Sequence, residues 1–394
     1  MKRFLRGPLA LAVSAVFTVP AQADAITDWN QLADGFVAEA KLGTPPAIRV
    51  MALAQTAAAE AVAATPEAAS AEAAIAGAHR VVLGKLLPAQ QAAVEAAVQA
   101  ALAKLPDGAA KSAGLAAGEK AATALLARRA DDNPARPEAY RPLASPGQYV
   151  PTAAPAIPQW RERKPWLMAS AAQFRPGPPP ALASERWARD FNEVRELGGR
   201  TSTQRSAEQT DIARFWEYSL PAIYHGVLRS VALQPGRDLK RNARLFAAAA
   251  QAMDDAMIGV FDAKYHHHFW RPATAIRNGD QDGNDATPRE PGWAPLIDAP
   301  MHPEYPSGHS ILAAAVATVI RADVGTNVVN GLATSSPSAK GATRRWTRLD
   351  DFVREVSMAR VYGGIHFRAA TEAGEAMGRQ IGELAATRLL GSPL

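Results

Sequence analysis

Between Pro134 and Pro180 the chain carries twelve prolines, and no other feature limits its fold as much. Proline fixes φ and lacks an amide hydrogen, so neither a long helix nor a central strand can run through this stretch. Trp160, Trp166 and Phe174 sit among the prolines. A flexible linker has little use for three such rings, so residues 134–181 are expected to form an ordered strap lying across whatever flanks them. Both flanks are helical in pattern. Residues 24–133 are Ala-rich with recurring Val, Ile and Leu. Thr44-Pro45 reads as a helix entry, a capping hydroxyl ahead of a first-turn proline, and residues 47–64 then run without a breaker. Further helices are expected over 71–87 and 89–105, punctuated by Pro88 and Pro106-Asp107-Gly108.

Past the strap, in residues 182–394, Ser184 opens an amphipathic stretch that reaches Leu197 and closes at Gly198-Gly199. Ser206-Ala-Glu-Gln209 is a capping box for the helix containing Phe215 and Trp216. A long helix is predicted over 238–265, with others over 310–322, 350–362 and 370–390, the last closed by Gly391. Alternating period-two segments are nearly absent. The class is all-α.

The first residues read as a secretory leader over 1–23: Lys2, Arg3 and Arg6, then an uncharged apolar run over 9–19, then Ala21-Gln22-Ala23 for cleavage. That run is shorter than the roughly 20 residues a membrane span takes, and no later stretch reads as a span. The protein is therefore expected to be exported, periplasmic or secreted, with no transmembrane segment once the leader is removed. The leader accounts for three of the five excess positive charges, so the basic balance implies no nucleic-acid partner. Zero cysteines exclude disulfides, thiolate metal sites and cysteine nucleophiles.

Three segments bear chemistry. Lys264-Tyr-His-His-His-Phe-Trp-Arg271-Pro272 places two cations seven residues apart, two helical turns, so they could share one face; Pro272 is then expected to end the helix at Arg271. Pro306-Ser307-Gly308-His309 immediately precedes an apolar run. The first-turn amides of the helix that follows lack intrahelical partners and carry partial positive charge, which binds oxyanions, and Ser307 adds a hydroxyl. Arg360-Val-Tyr-Gly-Gly-Ile-His366 is the third. Gly363-Gly364 breaks the helix there, so Arg360 would close one helix and His366 would lie just before the next. Three permanent cations, two histidines and a Ser-Gly turn suit a tetrahedral oxyanion such as phosphate or vanadate.

Two metal readings compete. Consecutive residues of a helix diverge by about 100°, so His266, His267 and His268, even with His302, cannot converge on one ion. Asp280-Gln-Asp-Gly-Asn-Asp285 superficially resembles a calcium loop, but its glycine is misplaced and no Glu closes it, which makes it an acidic turn. A non-enzymatic helical scaffold that binds an oxyanion weakly or without turnover is a reading of a different class.

Together the three segments resemble the signature of the vanadium-dependent haloperoxidases and type-2 phosphatidic acid phosphatases: Lys, six residues, Arg-Pro; Pro-Ser-Gly-His; Arg, five residues, His, three residues, Asp. The match covers residues 264–370 and fails at its last position, where Ala370 stands, and Ala359 replaces a serine before Arg360. The overall layout is similar to bacterial exported haloperoxidase-like proteins. The resemblance implies one compact domain of two packed helical bundles, with the site in the C-terminal one. It implies that His366 bonds the vanadium of vanadate or, in a phosphatase, becomes phosphohistidine. Lys264, Arg271 and Arg360 would neutralise the oxyanion, Ser307 and the Gly308 amide would donate hydrogen bonds, and His309 would be the acid–base group. It further implies hydrogen peroxide, halide and an organic acceptor as substrates of a peroxidase, or a phosphate ester for a phosphatase that needs no cofactor. His302 stands where bromoperoxidases carry histidine and chloroperoxidases an aromatic, which implies bromide over chloride. The missing carboxylate at 370 implies a weakened site that Ala370→Asp would improve, with Glu372 the first candidate if another residue fills its role.

Overall fold

The structure, a computed structural model, describes residues 24–132, 137 and 139–391. The leader expected over 1–23 lies outside the described residues. The chain before the strap folds into five helices, α1 (Ala25–Glu39), α2 (Thr44–Ala64), α3 (Ala71–Leu86), α4 (Gln91–Leu102) and α5 (Ala109–Arg128). Asp24 and Ser70 cap α1 and α3 by accepting from the third residue on. The cap of α2 is Gly43 rather than Thr44, because the Thr44 hydroxyl is turned to Ser219 at 2.7 Å. Alanine makes the inner faces small, so α2, α3 and α5 pack closely, and α2 also lies against the second bundle. By length and composition α2 could cross a bilayer, contrary to the sequence expectation, yet 78% of that stretch is buried inside the protein. Its apolarity serves the core.

After the strap come α6 (Glu185–Leu197), α7 (Ala207–Phe215), α8 (Ala222–Ala232), α9 (Leu239–His267), the short α10 (Pro272–Arg277) and α11 (Gly308–Val324). A two-stranded antiparallel hairpin follows, β1 (Val328–Ser336) and β2 (Ala342–Arg348), then α12 (Leu349–Tyr362) and α13 (Arg368–Ala385). The capping box at Ser206 and Gln209 forms as expected. A single π-helical turn, Ala386–Leu390, extends α13 before Gly391 ends it in the left-handed region. The hairpin is a small addition to the expected all-α class. Leu332, Thr334 and Ser336 point inward in alternation, but Gly331 and an irregularity between Val328 and Leu332 break the pattern in sequence. The molecule remains overwhelmingly helical.

Helix α9 is the central strut: every residue from 245 to 265 is buried, as a helix wrapped on all sides must be. It packs on α2, α11 and α13. The α11–α13 crossing is tighter still. A Cβ at Gly374 would lie 2.6 Å from the Ser307 carbonyl oxygen, and one at Gly378 would lie 2.3 Å from that of Ile311, so only glycine permits this approach. The strap is ordered where described. Backbone amides of Trp166, Leu167 and Met168 donate to Asp255 at 2.6, 2.8 and 3.0 Å, and the Trp166 indole donates to Asp254 at 2.7 Å.

Candidate functional site

The site lies where five element ends meet. Lys264 sits in the last turn of α9, and His268 takes a left-handed conformation that turns the chain out of the helix. Arg271 is therefore not on that helix. It is the N-cap of α10, and Pro272 begins a helix instead of ending one, as its fixed φ suits a first-turn position. Ser307 caps α11, with Gly308 and His309 in its first turn. Arg360 lies in the last turn of α12. Gly364, at φ 74°, reverses the chain so that His366 precedes Phe367, the N-cap of α13, as the double glycine predicted. A Cβ on Gly364 would sit 2.3 Å from the Gly198 carbonyl oxygen.

These ends bring the expected residues together. Lys264, His302, Gly308, His309, Arg360 and His366 border one cavity of about 430 Å³. Arg271 is within hydrogen-bonding distance of two of them: its Nη1 lies 3.3 Å from His366 Nε2, and its Nη2 lies 2.9 Å from His302 Nδ1. The His266–His268 run disperses. His266 is exposed, His267 faces the Pro176 carbonyl at 3.1 Å and His268 stacks on Tyr140. In the acidic turn Asp282 is a structural acceptor for the Trp187 indole at 2.7 Å and the Thr287 hydroxyl at 2.8 Å. Among the described residues no group of three or more His, Cys, Asp or Glu is placed to hold a metal ion.

A residue that the sequence reading passed over organises the centre. Glu304 is fully buried, and its Oε1 accepts from His366 Nδ1 at 2.8 Å and from the Phe367 amide at 2.9 Å. A carboxylate can only accept, so the proton of neutral His366 sits on Nδ1 and the lone pair sits on Nε2. Glu304 thus performs the orienting task assigned to the missing Asp. Ala370 is buried in an aromatic cluster with Trp187, Trp270 and Phe367, and its carbonyl accepts from the Ser307 amide at 2.9 Å. Glu372 is not involved, since it pairs with Arg186 at the surface, 2.6 Å away. The signal available in sequence was an acid inside His302-Pro303-Glu304-Tyr305, beside the Pro-Ser-Gly-His segment.

Charge is unbalanced here. Lys264, Arg271 and Arg360 are each at most 2% exposed, and among the described residues the carboxylate bonded to the histidine they surround is that of Glu304. Lys264 Nζ donates to three carbonyls, of Pro303, Glu304 and Pro306, at 3.0, 2.8 and 2.5 Å. It therefore contributes charge to the site rather than a free donor. Arg360 Nη1 donates to the Trp216 carbonyl, and its Nε has no protein partner. Burial pushes both arginines down to about 10 and holds Lys264 well below its usual value. Burial first, then the neighbouring cations, keep His302, His309 and His366 well below 6.5. Burial raises Glu304 to about 7, against the pull of Arg271 and Lys264. His309 Nε2 faces the Tyr218 carbonyl at 3.3 Å, so the neutral ring donates there and Nδ1 is the bare nitrogen.

Ser307 differs from expectation. It is fully buried, and its Oγ accepts from the Ser310 amide at 3.4 Å and the Ser310 hydroxyl at 3.0 Å. The contacts continue from Ser310 to Ser357 at 3.0 Å and from Ser357 to Glu375 at 2.6 Å. Ser307 thus caps its own helix and heads a chain of hydroxyls that runs to a partly exposed acid.

A histidine nitrogen held among excess buried cations in a helical protein is a setting that suits a tetrahedral oxyanion. Residues 244–391 match the family model described as VCPO second helical-bundle domain. A vanadium chloroperoxidase of Curvularia inaequalis is 31% identical over 147 residues, covering 30% of this chain and 23% of that protein. The match thus spans about a quarter of the relative's length. The structure is similar to that of a bacterial vanadium-dependent iodoperoxidase, with a TM-score of 0.78 and 26% identity over 92% of this chain and 96% of the other. It shares the fold of a holo-type bacterial vanadium-dependent chloroperoxidase, with a TM-score of 0.72 and 18% identity over 94% and 95% of the two chains. The chain is thus similar to the vanadium haloperoxidases, in sequence over its second helical bundle and in fold over most of its length.

Proposed function

We propose that the protein is a vanadate-dependent haloperoxidase that uses hydrogen peroxide to oxidise halide, releasing a hypohalous-acid equivalent that halogenates organic acceptors. One observation carries the reading: three buried cations against one carboxylate, arranged around a histidine whose Nε2 lone pair is fixed by Glu304. Burying that excess is costly unless a multiply charged anion balances it, and vanadate fits the donor set. Bound vanadate supplies an electrophilic centre that activates peroxide toward halide. His366 Nε2 would hold it, taking over the position that Arg271 Nη1 contacts. Arg271 and Arg360 would donate to its oxygens, Lys264 would add charge through space, and the first-turn amides at Gly308 would complete the cradle. Ser307 would position those amides as helix cap. His309 would deliver and take up the proton through its bare Nδ1, since oxidation of halide by peroxide consumes one proton. The leader over 1–23 would place this activity in the periplasm or outside the cell.

His302, bonded to Arg271 and bordering the same cavity, supports its role in halide choice, and we expect bromide to be oxidised much better than chloride. The phosphomonoesterase alternative would use the same Nε2 as nucleophile toward a phosphate ester, but its support is the shared signature alone. The decisive assay combines vanadate, peroxide and a phenolic dye with iodide, bromide and chloride in turn. Vanadate-dependent halogenation of the dye is expected. Vanadate inhibition of a phosphatase activity would replace this reading with the alternative, and vanadate binding without either activity would leave an oxyanion-binding protein.

A further inference from the structure

The cavity is much larger and much less polar than halide and peroxide require. At roughly 30 Å³ per water, its volume of about 430 Å³ holds about fourteen waters, whereas peroxide and a halide together fill the space of a few. Beyond the cations and histidines its walls are mainly apolar, with Pro46, Ile157, Met257, Phe261, Met301 and Leu312 among them and the hydroxyl residues Thr44 and Ser219 at one side. Ligand sites for small organic molecules have this build: a concave, largely apolar volume of several hundred Å³ with a few converging polar groups at one end.

The apolar wall joins residues of the matched bundle of residues 244–391, Met257, Phe261, Met301 and Leu312, to two parts outside it. Pro46 comes from the first turn of α2, and Ile157 comes from the strap. Ile157 holds a left-handed backbone at φ 37°, a conformation that a β-branched residue adopts only when its surroundings impose it. The imposing contact is adjacent, since the Ala156 amide donates to the Met301 carbonyl at 2.6 Å. That bond ties the strap to the loop carrying His302. Met301 itself is 47% exposed at the rim, an unusual setting for a large apolar side chain unless it meets something apolar.

We propose that this cavity binds a neutral, apolar, ring-sized organic acceptor, so that halogen transfer occurs to a bound molecule. The inference rests on the haloperoxidase reading and names its second substrate class. In the transfer a ring carbon forms a bond to halogen, the halogen–oxygen bond of hypohalous acid breaks, and the ring proton leaves with the released hydroxide as water. The test is a fluorescence titration of the vanadate-free protein with 2-naphthol, alongside 4-hydroxybenzenesulfonate as a charged acceptor. Saturable naphthol binding at least about tenfold tighter than the sulfonate is expected. Ile157→Gly, which the backbone accommodates, and Met301→Asp at the exposed rim should each weaken it about tenfold or more. With bromide and peroxide, the holoenzyme should give brominated naphthol in an isomer ratio different from that of free hypobromous acid. Naphthol that fails to saturate, or binding indifferent to both variants, overturns the inference. A parallel vanadate titration reports the oxyanion site separately, so intact vanadate binding with no naphthol binding sinks this proposal alone.

Discussion

The molecule buries two clusters of charge, and they are built on opposite principles. Under the strap, Arg49 pairs with Asp132 and, at 2.5 Å, with Asp254, while Arg129 reaches Asp132 at 2.9 Å. Asp255 is surrounded by strap amides. Two cations face three carboxylates, and burial lifts Asp255 to about 6 so that its charge is partly shed. Around His366, three cations face one carboxylate. The first cluster is closed: its charges are met within the chain, and it fastens strap to helix. The second is open, because three buried cations exceed what Glu304 can balance. A buried charge cluster marks a ligand site when its sum is wrong, not when it is merely charged.

The comparison can be broken most forcefully by deleting one charge from each cluster. Asp254→Asn leaves Arg49 short of a partner, and losing half of a buried pair typically costs about 3–5 kcal/mol. Urea unfolding should show a loss of that order, with vanadate affinity little changed. Arg360→Met removes a cation already in excess. Its fold should be as stable as the wild type or more so, while oxyanion binding falls by about 2–5 kcal/mol, as when a buried charged partner is truncated. If both variants lose stability alike, the two clusters are of one kind and the distinction fails.

Ala370→Asp comes next. The missing carboxylate looks like a defect in the one-dimensional motif, but in three dimensions Glu304 already supplies it. An Asp at 370 would place a second acid within an aromatic cluster, where an unpaired ion costs several kcal/mol in effect. Thermal unfolding should show a clear loss, with no gain in vanadate affinity; a gain would mean that Glu304 does not fill the role. Glu304→Gln is the complementary change and a smaller one. It preserves volume and can keep an amide oxygen on His366 Nδ1 and the Phe367 amide, but it removes the negative charge behind that contact and puts a donor in place of Oε2. It should therefore lower oxyanion affinity about 10–100-fold, the usual effect of an orienting partner. A purely structural role would leave the pH dependence of binding alone. Loss of a carboxyl held near 7 should instead remove any inflection in that region.

These variants also measure how far the sequence could be read. Arg271, His309, Arg360 and His366 are legible because each sits at an element end that proline or glycine marks locally, and Lys264 through its fixed spacing from Arg271-Pro272. Glu304 is not legible, since its partner is 62 residues away and only the reversal at Gly364 brings them together. The same reason hides the role of Ser307: whether a hydroxyl points at a ligand or back at Ser310 is decided by packing. Helix existence follows from local pattern and capping, as at Ser184 and Ser206. The hairpin over 328–348 escaped because its glycine and bulge interrupt the alternation that announces a strand. Burial of α2 could not be read from its own composition, which suits a membrane equally well.

The smallest expected effect is also the most specific to an open cluster, and it concerns protons. His309 is held well below 6.5 by burial first and by Arg360 next, with Lys264 and Arg271 adding to it. A bound dianion leaves the burial contribution in place but cancels the cationic one, so the histidine's proton affinity rises on binding. By linkage, binding then takes up a fraction of a proton, and affinity strengthens as pH falls through the raised value of the bound state. Sulfate is the right probe, being tetrahedral, doubly charged and without a titratable proton of its own near neutrality. Glu304 is itself held near 7 and a bound anion would raise it too, so the measurement belongs on Glu304→Gln. Calorimetry at pH 6 to 7 in two buffers of different ionisation enthalpy should yield net uptake, below one proton per site, and adding Arg360→Met should reduce it because the largest cationic contribution is already gone. The closed cluster makes the opposite statement about pH. Asp255 is raised above its unfolded value of 3.8, so its burial costs least at low pH and the cost grows as pH rises from about 4 to about 6. That dependence should appear in unfolding curves whether or not sulfate is present. Sulfate binding with no proton uptake would mean that the cations do not act on His309, and the excess charge around His366 would then need another explanation.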